Sequence, residues 1–276
     1  MKLQRGKNPN AAIFTLIFTL VALITTAIPI PAGPPFVTDD PEPVDYRHGE
    51  VYLASQITHA DGATEGTAPH IEINYGALPE VQLHLIARWS FNSSTPSSRA
   101  AWGPGDLEFG VKYRFIDETS SRPQIGIFPI IEAPAGDSSK GLGLGVVQVF
   151  LPLWLQKSFG PWATYGGGGY SADVNKPWYG TWLFGWEVQR DFGSALTVGG
   201  ELFTTSAQAG PSGAEVAFTI GAIVNVTVDH HVLLSAGRDL AGATTFALYA
   251  AYQYTFGPAA RKAFGVIGGE HRHALR

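Results

Sequence analysis

The chain has 276 residues, 45% of them hydrophobic and 12% aromatic, with 33 glycines and no cysteine. Only 15% are charged, against roughly 25% in an average soluble domain; the hydrophobic and aromatic content excludes a disordered chain, the lack of a triplet repeat excludes a collagen, and the lack of cysteine excludes any disulfide or thiolate-metal scaffold. A net charge of −5 also speaks against a nucleic-acid surface.

Lys2, Arg5 and Lys7 precede an apolar run over 11–24, and Thr25 and Ala27 follow it in a T-x-A arrangement. That pattern predicts a secretory signal peptide over 1–27, with residue 32 as an alternative end. No later apolar run is long enough to be a membrane helix, so a membrane protein made from the remainder has to be a closed barrel. Residues 28–48 form a Pro-rich leader whose prolines favour extended chain. Its Asp39, Asp40 and Glu42 are hard oxygen donors of the kind calcium takes, although extended structure is the simpler role.

From 49 to 256 the chain alternates apolar and polar residues with a period of two, the signature of strands. Strands are expected at 50–57 and 70–76, then at 80–91, where Val81, Leu83, Leu85, Ala87, Trp89 and Phe91 oppose Gln82, His84, Arg88 and Ser90. Over 105–115, Leu107, Phe109, Val111, Tyr113 and Phe115 alternate with Asp106, Glu108, Lys112 and Arg114. Further strands are expected over 124–133, 147–155, 162–172, 178–188, 194–206, 216–226, 231–238 and 246–256, about twelve in all. Links after odd strands are long and polar, as at 59–68, 92–103 and 135–143, while those after even strands are short. A soluble sandwich averages about 5–6 residues per strand, whereas a tilted membrane strand needs about 9–11, so these lengths favour an all-β, antiparallel, up-and-down transmembrane barrel.

The polar face then lines the lumen. Its charges, Arg88, Glu108, Lys112, Arg114, Glu132, Glu187 and Glu201, are the candidates for setting selectivity. Arginine should be tolerated better at Gln82, Gly110 and Gln148 on this face than at Leu85, Leu151 or Phe218 on the other. Twelve strands lie between the eight that side chains fill and the 16–18 that leave an open channel, so the lumen is expected to be narrow. The glycines over 166–169, with Pro152 in the preceding strand, weaken the wall, which makes Pro152, Gly167 and Gly169 candidates for a lateral gate. The alternative is aromatic packing over glycine by Trp154 or Tyr170.

Residues 33–43, GPPFVTDDPEP, and 105–115, GDLEFGVKYRF, resemble the MetA-pathway of phenol degradation family of outer-membrane transporters. The resemblance covers essentially the whole mature chain. It implies a transporter-like barrel that passes hydrophobic or aromatic compounds, and it brings no catalytic residues. The usual barrel ends on an aromatic residue of its last strand; here Phe256 is followed by a tail over 257–276.

Chemistry beyond transport is sparse. His230 and His231 are adjacent and therefore on opposite faces of a strand, and His271 and His273 lack further ligands nearby in sequence. His84 and Ser90 lie roughly 20 Å apart on one strand at ~3.3 Å per residue, too far for a hydrolytic dyad. The expectation is a bacterial outer-membrane channel for small solutes, without enzymatic activity, cofactor or metal. Its partners would be outer-membrane lipids, a small-molecule solute and the barrel-insertion machinery, and no nucleic acid. A structural or adhesive barrel is the alternative, and an outer-membrane lipid hydrolase comes after it.

Overall fold

The computed structural model describes residues 34–60, 62–93, 99–206, 214–241 and 245–258. The expected signal peptide over 1–27 and residues 259–276, with His271 and His273, lie outside the described residues.

The strands in chain order are β1 (Gly49–Ala60), β2 (Ala63–Leu78), β3 (Val81–Ser93), β4 (Ala101–Ile116), β5 (Gln124–Ile127), β6 (Ile130–Ala133), β7 (Gln148–Phe159), β8 (Trp162–Asp173), β9 (Thr181–Phe192), β10 (Leu196–Thr205), β11 (Glu215–Asn225), β12 (His230–Ala241) and β13 (Thr245–Phe256). Each pairs antiparallel with its neighbours, and β13 returns to pair with β1 from Gly49↔Phe256 to Ala60↔Thr245. The sheet is therefore closed. Both β5 and β6 lie between β4 and β7, so the thirteen segments make twelve wall positions, the number expected from the alternation.

The two faces follow the alternation. Leu83, Phe109, Val111, Leu151, Leu153, Phe184, Ile220 and Leu248 point outward and are exposed, while Gln82, Glu108, Lys112, Gln148, Glu187 and Gln253 point inward and are buried. A soluble protein does the opposite with its apolar residues. An uninterrupted belt of this size is stable only against lipid. Outward aromatics gather at the belt's ends, with Tyr113, Phe115, Phe159, Trp162, Tyr254 and Phe256 at the end where β1 begins and β13 finishes and Trp89, Trp102, Trp182 and Phe246 at the other. Between β7 and β8 the chain reverses at Gly160, whose φ of +59° suits glycine.

Three local expectations change. The loop expected over 59–68 is mostly strand, because β1 and β2 continue as polar ladder to Ala60↔Ala63. Polarity there marks strand rising above the lipid rather than loss of pairing. Trp178, expected to open a strand, lies 85% exposed in the link before β9. The strand expected over 124–133 splits around 128–129, since Pro129 has no N–H to give to the ladder.

Candidate functional site

The lumen is occupied, and it is built in two halves. On β4 every second residue faces inward, which places Asp106, Glu108, Gly110, Lys112 and Arg114 in one inner row. Glu108 is fully buried, forms an ion pair with Arg88, and has its Oε1 2.9 Å from His84 Nε2. Arg88 reaches on to Glu132 at 3.2 Å, and His84 Nδ1 lies 2.7 Å from Asn74 Oδ1. Arg114 donates to Glu80 and to Gln124, each at 2.7 Å. Gly110 leaves room for the rings of Phe128 and His84, which any side chain there would strike.

Asp106 works toward the mouth. Its carboxylate accepts the backbone N–H groups of Ala135 at 2.9 Å, Gly136 at 2.8 Å and Leu144 at 2.6 Å. The link between β6 and β7 is thereby folded inward and Leu142 is buried. Within that link Asp137 caps a 3₁₀ turn, Ser138–Lys140, and hydrogen bonds from Lys140 and then Ser139 hold its carboxyl down at about 2.

The other half receives the leader. Residues 34–48 precede the barrel in sequence; 34–44 run inside it in space, and 45–47 are exposed at its end. Phe36 sits against Gly199 and Gly221, and Ser235 donates to the carbonyl of Pro35 at 2.6 Å. The N–H groups of Val37 and Thr38 donate to the two oxygens of Glu201 at 2.8 and 2.7 Å. Thr38 lies against Gly185, where a β-carbon would collide with its hydroxyl. Lys112 crosses from β4 to Asp39 at 3.0 Å and Asp40 at 3.5 Å, and Gln124 donates to Glu42 at 3.2 Å. Near the terminal end Val44 N–H donates to Gln82 at 2.8 Å, and Arg47 N–H to the carbonyl of Gly76 at 2.7 Å.

All seven charges singled out from the sequence face inward: Arg88, Glu108 and Glu132 in one network, Arg114 and Lys112 toward the leader, Glu187 and Glu201 on β9 and β10. Sequence reasoning put Asp106 and His84 on the inward face without singling them out, and missed Phe36. For Phe36 a signal existed, because Gly199, Gly221 and Ser235 form one register row of small inward residues, a socket for a large side chain.

Of the lateral-gate candidates, Pro152 is paired with Gly169, and Gly167 lies opposite Trp154. Trp154 is buried on the inner side, in an apolar cluster with Phe128, Ile130, Phe150 and Leu183. The β7–β8 ladder through the glycines is continuous over twelve pairs. The break in the wall is on the other side of β7. Pairing with β5 stops at Leu153 and pairing with β6 begins at Phe150, so Leu151 and Pro152 face the interruption at Pro129. Outside this break lies an apolar dent of about 390 Å³ that includes Pro129, Pro152 and Trp182. A larger furrow of about 720 Å³ runs over Gly167, Gly168 and Gly185.

His84 is engaged by Asn74 and Glu108 inside the lumen, and Ser90 also faces inward, so these two do not offer a nucleophile to lipid. His230 stacks on Tyr252 outside, while His231 Nδ1 lies 2.7 Å from Asn225 Oδ1.

No sequence-family model matches the chain, and no curated protein matches it. Solved structures do. The COG4313 outer membrane channel from Pseudomonas putida F1 is similar with a TM-score of 0.59 at 18% identity, over 79% of this chain and 98% of that one. The KdgM porin, solved with a disordered oligogalacturonate, is similar with a TM-score of 0.53 at 10% identity, over 74% of this chain and 99% of its own. The NanC porin is similar with a TM-score of 0.51 at 7% identity, over 73% and 98%. These likenesses establish the fold, a closed outer-membrane-type barrel.

Proposed function

We propose that this chain is a bacterial outer-membrane channel for passive passage of small solutes. The observation that carries the reading is the way the lumen is filled. Its plug is the chain's own leader, held by ion pairs and by hydrogen bonds to polar wall residues, contacts that water can replace. The channel-like fold of its structural neighbours supports the same reading. In this reading Arg88, Glu108, Lys112, Arg114, Glu132, Glu187 and Glu201 set the charge that a solute meets. Resemblance of 33–43 and 105–115 to the MetA-pathway of phenol degradation family supports hydrophobic or aromatic compounds as the solute class.

For such a solute we place the lateral exit at Pro152 and Pro129 rather than within the glycine ladder. There the inner cluster around Phe128 and Trp154 and the outer dent lie on the two sides of the interrupted pairing. Gly167 and Gly169 serve as the thin backing of Trp154 and Pro152. The test is planar-bilayer conductance of the folded full chain, followed by liposome uptake of small aromatic acids and alkylbenzenes. Discrete conductance steps with faster uptake than in empty liposomes are expected. A second reading, a purely structural barrel, draws on the dense packing of Glu108, Trp154 and Leu183 inside the lumen; it predicts neither steps nor uptake.

A further inference from the structure

Beneath the leader the inner wall carries more negative charge than its surroundings neutralise. Glu187 and Glu201 are register partners on β9 and β10, both buried and both pointing inward. With Asp39 and Asp40 they stand within electrostatic reach of the buried Tyr165. Lys112 pairs with Asp39 and Asp40, and among the described residues no ion pair reaches Glu187 or Glu201. Glu201 is occupied by two leader N–H groups. Glu187 is not: it is 0% exposed, neither carboxylate oxygen makes a hydrogen bond of ordinary geometry, and the one polar side chain that stands against it is the Tyr165 hydroxyl. The Thr38 hydroxyl and Asp39 Oδ2 are buried without a partner as well.

An isolated buried carboxylate is too costly to persist. It is neutralised by a proton or by a cation. The donors here are hard oxygens, which suit an alkali or alkaline-earth ion. Among the described residues no three acidic or histidine side chains stand at metal-ligating spacing, which disfavours a tightly chelated divalent ion. We propose that the lumen binds a monovalent alkali cation, sodium or potassium, at Glu187, with Thr38 and Asp39 of the leader supplying neighbouring oxygens. The cation then fastens the leader to the β9–β10 wall as Lys112 fastens it to β4. Glu187 is then one side of a site completed by the leader rather than a wall charge met by solutes.

The test uses the folded full chain and compares its thermal unfolding in sodium, potassium and N-methyl-D-glucamine chloride at one ionic strength. The unfolding midpoint is expected to be higher in both alkali salts, and this advantage to vanish in Glu187→Gln while surviving in Glu72→Gln, a change in the opposite network, where Glu72 accepts from Asn74 at 2.8 Å and lies 3.7 Å from His84. Equal midpoints in the three salts, or the same advantage in Glu187→Gln, would overturn the site. If Glu187→Gln does not fold, sodium-23 line broadening by the unaltered protein, relieved by potassium and not by N-methyl-D-glucamine, supports the site, and its absence overturns it. Unfolding midpoints and ion binding do not depend on conduction. A barrel that never conducts therefore ends the channel reading and leaves this site standing, whereas a conducting barrel without the salt effect does the reverse.

Discussion

The wall from β3 to β4 and the wall from β8 to β10 carry the same alternation, yet they fill the lumen in opposite ways. On β3 and β4 long charged side chains reach one another directly, with Arg88, His84 and Glu132 gathered on Glu108. On β8 to β10 the inward positions include Gly167, Gly185 and Gly199, and the space they leave holds Trp154 and the leader. One half is a wall satisfied by itself. The other is a berth that needs another part of the chain.

The largest expected effect separates those two designs. Glu108→Ala leaves Arg88 and His84 buried without their shared acceptor, and breaking a buried charge pair costs about 3–5 kcal/mol. Glu187→Gln, removing a charge that has no ion pair among the described residues, should cost far less and stabilise the barrel in alkali-free buffer. Urea unfolding in lipid vesicles measures both. Comparable losses would mean that the two walls are held alike.

The lipid face comes next. Leu153→Arg, at an outward position 46% exposed in the middle of β7, should cost about 2–4 kcal/mol near the bilayer midplane. The sequence suggested that arginine at Gly110 would be milder, and the structure reverses this, since Phe128, His84 and Ile130 crowd that position. Gly110→Arg should abolish the compact, heat-modifiable form on gels.

That reversal shows what alternation can and cannot convey. A period of two assigns each residue to a face and fixes the strand count, because a one-residue error would move a whole apolar row into the lumen. It therefore placed Leu83 outside and Glu108 inside. It says nothing about how wet the polar face is. Gln82 and Gln148 look like residues of an aqueous channel and are in fact buried. The leader was least legible, because its partners lie far away in sequence: Val37 and Glu201 are separated by 164 residues, and no local pattern encodes such a contact. Loop lengths failed where polarity was taken for irregularity, as at Thr64 and Glu65, which are strand.

A smaller effect probes the berth itself. Hydrogen bonds to a charged acceptor are worth about 1.5–3 kcal/mol, and Glu201→Gln weakens two of them. Since about 1.4 kcal/mol is tenfold in an equilibrium, the fraction of released leader should rise at least tenfold. The chain has no cysteine, so Val37→Cys creates a unique reporter. Its labelling by a water-soluble thiol reagent should quicken accordingly when Glu201→Gln is added, while the matching change Glu132→Gln on the self-satisfied wall should leave the labelling rate unchanged.

The smallest expected effect lies at the seam between the two halves. By the flanking register Pro152 stands opposite Phe128 and Leu151 opposite Pro129, where β7 loses its partner, and each proline withholds a donor from the sheet. Pro152→Val restores one N–H and adds a β-branched side chain suited to a strand, worth about 0.5–1.5 kcal/mol if the bond forms. Global unfolding should therefore move little. Transport should separate into two components. Ions that follow the lumen do not cross the wall, so conductance stays at its original level. An alkylbenzene that leaves through the seam meets a stiffer wall, so its uptake into liposomes slows. Val at Gly167 or Gly169 would not serve, because a β-carbon at either strikes the backbone of β7 and would disrupt the ladder that the comparison requires intact. If Pro152→Val leaves alkylbenzene uptake unchanged in a folded barrel, the solute does not leave at the seam, and the glycine backing of Trp154 is packing alone.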